Sequence, residues 1–200
     1  ILPVMIDPAY TVDIDTPKDW ARSEWLVWNA GLELVYPGGP RRPLPEKVEL
    51  VVCDFDGVMT DNRVWVSEEG HEMVAANRSD SLGIRYMREA GIDSMILSME
   101  VNPVVSARAR KMKMAVVQGQ DDKASALKTI LAERQLDPRN VVYLGNDTND
   151  LPCFPLVGCA IAVADAQPVV LRQADVILSR DGDHGAVREL CDLLVARTLR

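Results

Sequence analysis

Four short apolar runs in this chain each stop at polar residues on the edge of a turn. Val48–Cys53 stops at Asp54, Ser94–Leu97 at Ser98, Ala115–Gln118 shortly before Lys123, and Val141–Leu144 at the run GNDTND. Between them lie segments with helical periodicity: Ser81–Ala90 closed by Gly91, a stretch opened by Asn102-Pro103 and running through Lys113, and Asp121–Gln135 ended by Asp137-Pro138. Two further short strands are expected at Cys159–Val163 and Asp175–Leu178, and a last helix at Ala186–Leu199. Buried strands alternating with helices specify an α/β fold, a parallel sheet covered by helices on both faces. One segment breaks the alternation. Asp61–Ala76, DNRVWVSEEGHEMVAA, carries a two-residue period around Glu69-Gly70 and reads as a β-hairpin inserted after the first strand.

The segment YPGGPRRPLPEK, Tyr36–Lys47, is dense in proline and glycine and reads as a linker. It separates residues 1–45 from a body at 46–200. In the first part Thr16 followed by Pro17 marks a helix start and Gly31 a stop. Trp20, Trp25 and Trp28 are more aromatic surface than a lone helix of this length can cover, so this helix is expected to pack on something further. A net charge of −8 argues against nucleic acid as a general partner. The apolar stretch LPCFPLVGCAIAVA holds two prolines and falls short of the ~20 residues of a membrane helix. No signal peptide is read at the start, and Cys53, Cys153, Cys159 and Cys191 form no CxxC pair. A cytoplasmic protein with reduced thiols is the expectation. A chain beginning at Ile1 is read as a fragment or a processed product.

Ligands of parallel α/β sheets bind beyond the carboxyl ends of the strands. There this chain places Asp54 and Asp56, then Ser98, Lys123, and finally Asp147 with Asp150. Singly, each has a plain reading: turn acids, a solvated helix lysine, a helix cap. A calcium loop fails, because its fifth and twelfth positions would be Val58 and Trp65. Together they suit phosphoryl transfer to a carboxylate. An aspartate attacking a phosphate dianion needs a cation between the two, and oxygens of Asp54, Asp147 and the main chain near Asp56 suit Mg²⁺. Lys123 adds fixed positive charge, Ser98 a hydrogen bond, and the turn at Gly57 a nest of N–H groups for phosphate. Asp54 is then the nucleophile and Asp56 the proton shuttle.

The signature DFDGVMTD, a hydroxyl after a strand, Lys123 and GNDTND resembles the haloacid dehalogenase superfamily of phosphatases. The resemblance implies a Rossmann-like sheet, Mg²⁺, Asp54 as nucleophile, Asp56 as acid and base, Ser98 and Lys123 on phosphate, and Asp147 on the metal. The short gaps after Asp61 and Asp150 hold no large cap domain, so the chain is similar to the capless subclass. That subclass contains phosphatases of 3-deoxy-manno-octulosonate 8-phosphate and 2-keto-3-deoxynononate 9-phosphate. It implies a homotetramer in which the hairpin helps close a neighbour's site.

LSMEVNPVVSARARKMKM resembles the nononate and sialate type. By that resemblance Arg108 and Lys111 meet the carboxylate of a phosphorylated 2-keto-3-deoxy sugar acid. Glu100 orients Lys111 or a sugar hydroxyl, and Arg78 joins the substrate residues. Met99, Val101 and Ser81 depart from the usual pattern. TVDIDTPKDWARSEW, with Asp13 and Asp15, resembles the carboxyl end of N-acylneuraminate cytidylyltransferases, whose nucleotide-binding part has no counterpart here. Two other functions stay open: a non-catalytic oligomerisation domain of such a synthetase, and octulosonate 8-phosphate hydrolysis.

Overall fold

A computed structural model describes residues 13–29 and 41–198. The chain divides into two compact units, Ile1–Pro40 and Arg41–Arg200. In the first, α1 (Pro17–Asn29) starts with a reciprocal cap. The Asp19 N–H donates to Thr16 Oγ1 at 3.3 Å and the Thr16 N–H to Asp19 Oδ2 at 3.0 Å. Trp20 and Trp25 of this helix are exposed. Gly31 and the side chain of Trp28 lie outside the described residues.

The second unit is built on a six-stranded parallel sheet. Its strands are β1 (Leu50–Cys53), β4 (Asp93–Leu97), β5 (Ala115–Val117), β6 (Val141–Gly145), β7 (Cys159–Ala162) and β8 (Val176–Ile177), in the order β5-β4-β1-β6-β7-β8. β1 sits in the middle, with Cys53 opposite Ile96 on one side and Leu144 on the other. The chain therefore steps outward twice, first through β4 and β5 and then through β6, β7 and β8. Right-handed crossovers place the helices of the two excursions on opposite faces. The helices are α2 (Arg78–Glu89), α3 (Pro103–Met112), α4 (Lys123–Glu133), α5 (Pro168–Gln173) and α6 (Ala186–Thr198). α2 packs against α6, and α4 against the 3-10 segment Leu151–Leu156. β1, β6 and β7 are buried along their whole length, as strands covered on both faces must be.

The insertion after β1 is the expected hairpin, β2 (Trp65–Val66) antiparallel to β3 (Glu72–Met73). Neither it nor the 3-10 segment after β6 amounts to a cap domain. Several boundaries differ from the sequence reading, each through a cap. Asn77 Oδ1 accepts the Ser79 N–H, so α2 begins three residues before Ser81. Asp122 Oδ1 accepts the Ser125 N–H, so α4 begins at Lys123, past Asp121. α5 and the segment Leu151–Leu156 were not foreseen; both are short, and prolines mask their periodicity.

The proline-rich stretch read as a linker to Lys47 is already fastened at Arg42. Its N–H donates to Asp175 Oδ1 at 2.8 Å, and its guanidinium pairs with Asp175 Oδ2 at 2.6 Å. The guanidinium also donates to the carbonyls of Phe154 and Val157. Asp175 Oδ2 accepts the Ala160 N–H at 2.7 Å as well, while the Asp175 N–H donates to the Ala160 carbonyl at 2.8 Å, and β8 follows at Val176. Asp175→Ala leaves these donors unanswered. It should cost about 2 kcal/mol, read as a fall in Tm of about 4–8 °C; a Tm within a degree of wild type would refute the clamp.

Candidate active site

The carboxyl edge around β1 gathers the site. Asp54 follows β1, Ser98 follows β4, Asn146 and Asp147 follow β6, and Lys123 opens α4. Asp54, Asp56, Asn62, Ser98, Glu100, Asn146 and Asp147 line one cleft, with Met99, Val101 and Asn149 at its rim. Lys123 lies beneath it, 2% exposed, with Nζ 2.8 Å from Asp54 Oδ1 and 2.8 Å from Asp150 Oδ1.

Asp54 is buried, and its Oδ1 also accepts the Phe55 N–H at 2.7 Å. Both contacts fall on Oδ1, which leaves Oδ2 without either of them. Burial, and then the Asp150 charge, push the Asp54 carboxyl up to about 7, while Lys123 pulls it back. Burial works against the Lys123 ammonium, but its two carboxylates outweigh that and hold it above the ordinary lysine value. An amine bridging two carboxylate oxygens at 2.8 Å is an ion-paired ammonium. Asp56 is raised by burial and then by the Glu100 charge. A carboxyl that holds its proton above the ordinary range is suited to be a general acid. Ser98 Oγ accepts the Glu100 N–H at 3.0 Å and keeps its own proton to donate.

Two glycines make the convergence possible. Gly57 has φ of +75°, and a Cβ there would meet Asn146 Nδ2 at 1.9 Å. At Gly145 a Cβ would meet Asp150 Oδ2 at 2.5 Å. The Gly57 N–H, expected in a phosphate nest, instead donates to Thr60 Oγ1 at 3.1 Å. The turn closes on itself, so Gly57 serves backbone approach rather than phosphate.

Among the described residues no three acidic, imidazole or thiol side chains gather as a metal cage. The expected set needs only two side-chain carboxylates, Asp54 and Asp147, with the main-chain carbonyl of Asp56. Asn146 supports that fit. It is buried, lines the same cleft, and its Oδ1 has no hydrogen-bond partner. Oxygen donors alone fit a hard divalent cation.

The substrate residues are placed less as expected. Glu100 lines the cleft, but its Oε1 accepts the N–H groups of Val101 and Asn102 at 2.7 and 2.8 Å. It therefore caps its own turn and does not orient Lys111. Arg108, Lys111 and Arg78 are not among the lining residues. The Arg108 guanidinium is drawn to the Asn77 carbonyl. Lys111 lies exposed further along α3, and Arg78 is exposed at the start of α2. A second cleft shares Asp56, Asn62 and Glu100 with the first and runs under the hairpin, past Val64, Glu72 and Asn102, to Arg63. Asp61 holds Arg63 through Nε at 2.8 Å.

Sequence reasoning placed Asp150 at the strand-end edge but gave it no role in the site. It is fully buried, and its Oδ2 accepts the N–H groups of Asn146 and Asp147 at 2.9 and 3.3 Å, fixing the loop as well as Lys123. The signal was present, since the lysine of such a cluster must be answered by an acid and GNDTND has one to spare. Lys123→Met would strand two buried carboxylates. It should cost about 3–5 kcal/mol at neutral pH, with the deficit shrinking in acid as the raised Asp54 carboxyl protonates; denaturant unfolding at two pH values tests it.

The sequence profile of the haloacid dehalogenase-like hydrolases matches residues 97–190. The 3-deoxy-D-manno-octulosonate 8-phosphate phosphatase of Yersinia pestis is 38% identical over 149 residues, 74% of this chain and 80% of that protein. N-acylneuraminate cytidylyltransferase A of Danio rerio is 33% identical over 189 residues, 92% of this chain but only 42% of the longer relative. A crystal structure of the Moraxella catarrhalis 3-deoxy-D-manno-octulosonate 8-phosphate phosphatase, with magnesium, phosphate and KDO bound, superposes with a TM-score of 0.73. It is 29% identical and covers 75% of this chain and 87% of that one. With its strand-end acids and buried lysine in that setting, the chain belongs to the haloacid dehalogenase-like hydrolases and is a phosphoric monoester hydrolase.

Proposed function

We propose that this protein is a Mg²⁺-dependent phosphatase that removes the 9-phosphate of a nonulosonic, sialic-type acid. The observation that carries the chemistry is the presence in one cleft of Asp54, held by Lys123, and Asp56, whose carboxyl burial shifts upward. Asp54 Oδ2 attacks phosphorus as the bond to the sugar oxygen breaks, and Asp56 gives its proton to that oxygen. Asp56 then takes a proton from the water that attacks the aspartyl-phosphate. Inorganic phosphate leaves and Asp54 is restored. Ser98 and Lys123 hold the phosphoryl oxygens throughout. Asp54, Asp147 and the Asp56 carbonyl, with Asn146 beside them, would hold Mg²⁺, which when bound offsets the repulsion between carboxylate and phosphate.

The nonulosonic substrate is supported by the match to a cytidylyltransferase over nearly the whole chain and by Glu100 in the cleft. In place of the expected cations, Arg63 under the hairpin is the group we assign to the sugar-acid carboxylate. Hydrolysis of octulosonate 8-phosphate is the second reading, favoured by the Yersinia relative. The exposed Val64, Trp65, Val66 and Met73 of the hairpin support assembly into a homotetramer. Four buried free cysteines support residence in the cytoplasm. No helix among the described residues is long and apolar enough to cross a membrane.

Phosphate release should be measured with Mg²⁺ on 2-keto-3-deoxynononate 9-phosphate, N-acetylneuraminate 9-phosphate and 3-deoxy-manno-octulosonate 8-phosphate. A 9-phosphate should give the highest kcat/KM, chelation should abolish turnover, and Asp54→Asn should lose at least about 10³-fold. A higher kcat/KM for the 8-phosphate would select the second reading. Silence on all three from folded, tetrameric protein would favour a purely architectural domain.

The electrostatics predict a pH effect. Asp56 must be protonated to act as an acid, so turnover falls as pH rises through its pKa. Glu100 is one of the groups raising that pKa. Glu100→Gln should therefore move the alkaline limb of the kcat profile to lower pH. An unmoved or upward-shifted limb would assign the proton shuttle elsewhere.

A further inference from the structure

Tyr143 lies in the middle of β6, paired with Val52 of β1 and fully buried. Its neighbours in β6 are the apolar Val142 and Leu144, and its ring meets Phe154 edge-on with centroids 6.1 Å apart. Phenylalanine would satisfy that packing without the cost of burying a hydroxyl. The hydroxyl donates to Asp150 Oδ1 at 2.8 Å and has the Cys153 thiol as its other polar neighbour. That oxygen is the one Lys123 Nζ also holds at 2.8 Å. The other oxygen, Oδ2, takes the N–H groups of Asn146 and Asp147.

From this geometry we infer that Tyr143 is a positioning residue, acting through Asp150 to set how Lys123 is shared between Asp150 and the Asp54–phosphate centre. The inference rests on Lys123 facing the phosphoryl group as proposed above. Without the phenol, Asp150 Oδ1 has Lys123 as its only donor. A carboxylate oxygen answered by a single donor binds it more strongly. The ammonium then settles toward Asp150, and less positive charge reaches the phosphoryl oxygens as charge moves onto them in the transition state. With the phenol in place the two Lys123 contacts are equal, both 2.8 Å. The effect is largest in the transition state, where charge on the oxygens facing Lys123 is greatest.

The test is Tyr143→Phe in the full chain with Mg²⁺ and p-nitrophenyl phosphate as substrate. Binding of orthovanadate and of inorganic phosphate is measured beside turnover, and each measurement is repeated on Asp150→Asn. We expect kcat to fall about tenfold with KM within about twofold. Vanadate affinity should fall by the same factor, phosphate affinity should hold, and Tm should stay within a few degrees. Adding Tyr143→Phe to Asp150→Asn should cost nothing more, since the route of action is already cut. An unchanged kcat and vanadate affinity, or an equal further loss in the Asp150→Asn background, would overturn the inference. Failure of the mechanism itself looks different: Asp54→Asn would then retain turnover, whereas here Asp54→Asn is inactive and only the Tyr143 effect is absent.

Discussion

A protonated lysine under the floor of the cleft is the constraint on which the rest of the site depends. Lys123 is cut off from water, and an unanswered ammonium there would cost several kcal/mol. Asp54 and Asp150 answer it together. One ammonium and two carboxylates leave an excess of one negative charge, with Asp56 and Glu100 close by. Adding a phosphate dianion to such a pocket is unfavourable unless further positive charge comes with it. A divalent cation would supply that charge, while the raised proton affinity of Asp54 and Asp56 comes from their own burial and their acidic neighbours, against the pull of Lys123.

The sheet order makes this geometry available. β1 lies between β4 and β6, so the residue leaving β1 has Ser98 on one side and the Asn146–Asp150 loop on the other. α4 crosses from β5 to β6 and delivers Lys123 at its first residue. The strands are rigid because they are buried, and the acids and the lysine inherit that rigidity. Gly57 and Gly145 are needed because so many side chains converge on one edge that a Cβ at either place would occupy space already taken.

Most of this was readable from residue patterns. Each sheet strand came from its apolar run, and the hairpin from its period and the Glu69-Gly70 turn. Asp54, Asp56, Ser98, Lys123 and Asp147 were legible because strand ends in a parallel sheet face one edge. The errors share a cause. Arg108, Lys111 and Arg78 were chosen by resemblance and helical spacing, which report what lies on one helix but not what the helix packs against. The Asn77 carbonyl claims Arg108, and that contact spans 31 positions. Glu100 does line the cleft, but its Oε1 is engaged by its own turn, a contact too local for spacing to reveal. Asp150 was placed at the edge without a role, and Tyr143 was not singled out, because burial decides what each does, and an acid in a turn or a tyrosine in a strand looks ordinary in one dimension.

The two clefts are built by different parts of the fold. The groups assigned to phosphate and proton sit on strand ends and at the start of α4, tied into the core. The second cleft is walled by the hairpin and the start of α3 and joined by a single side-chain bond, Asn102 Nδ2 to Glu72 Oε2 at 3.0 Å. Asn102 also caps α3, its Oδ1 accepting the Val104 N–H, so one residue sets both the helix start and the hairpin's seat. Hairpin residues are exposed and lightly packed, and they can change without disturbing Lys123 or its carboxylates. A fold divided this way can keep one set of buried strand-end groups while the surface that meets the rest of a substrate varies.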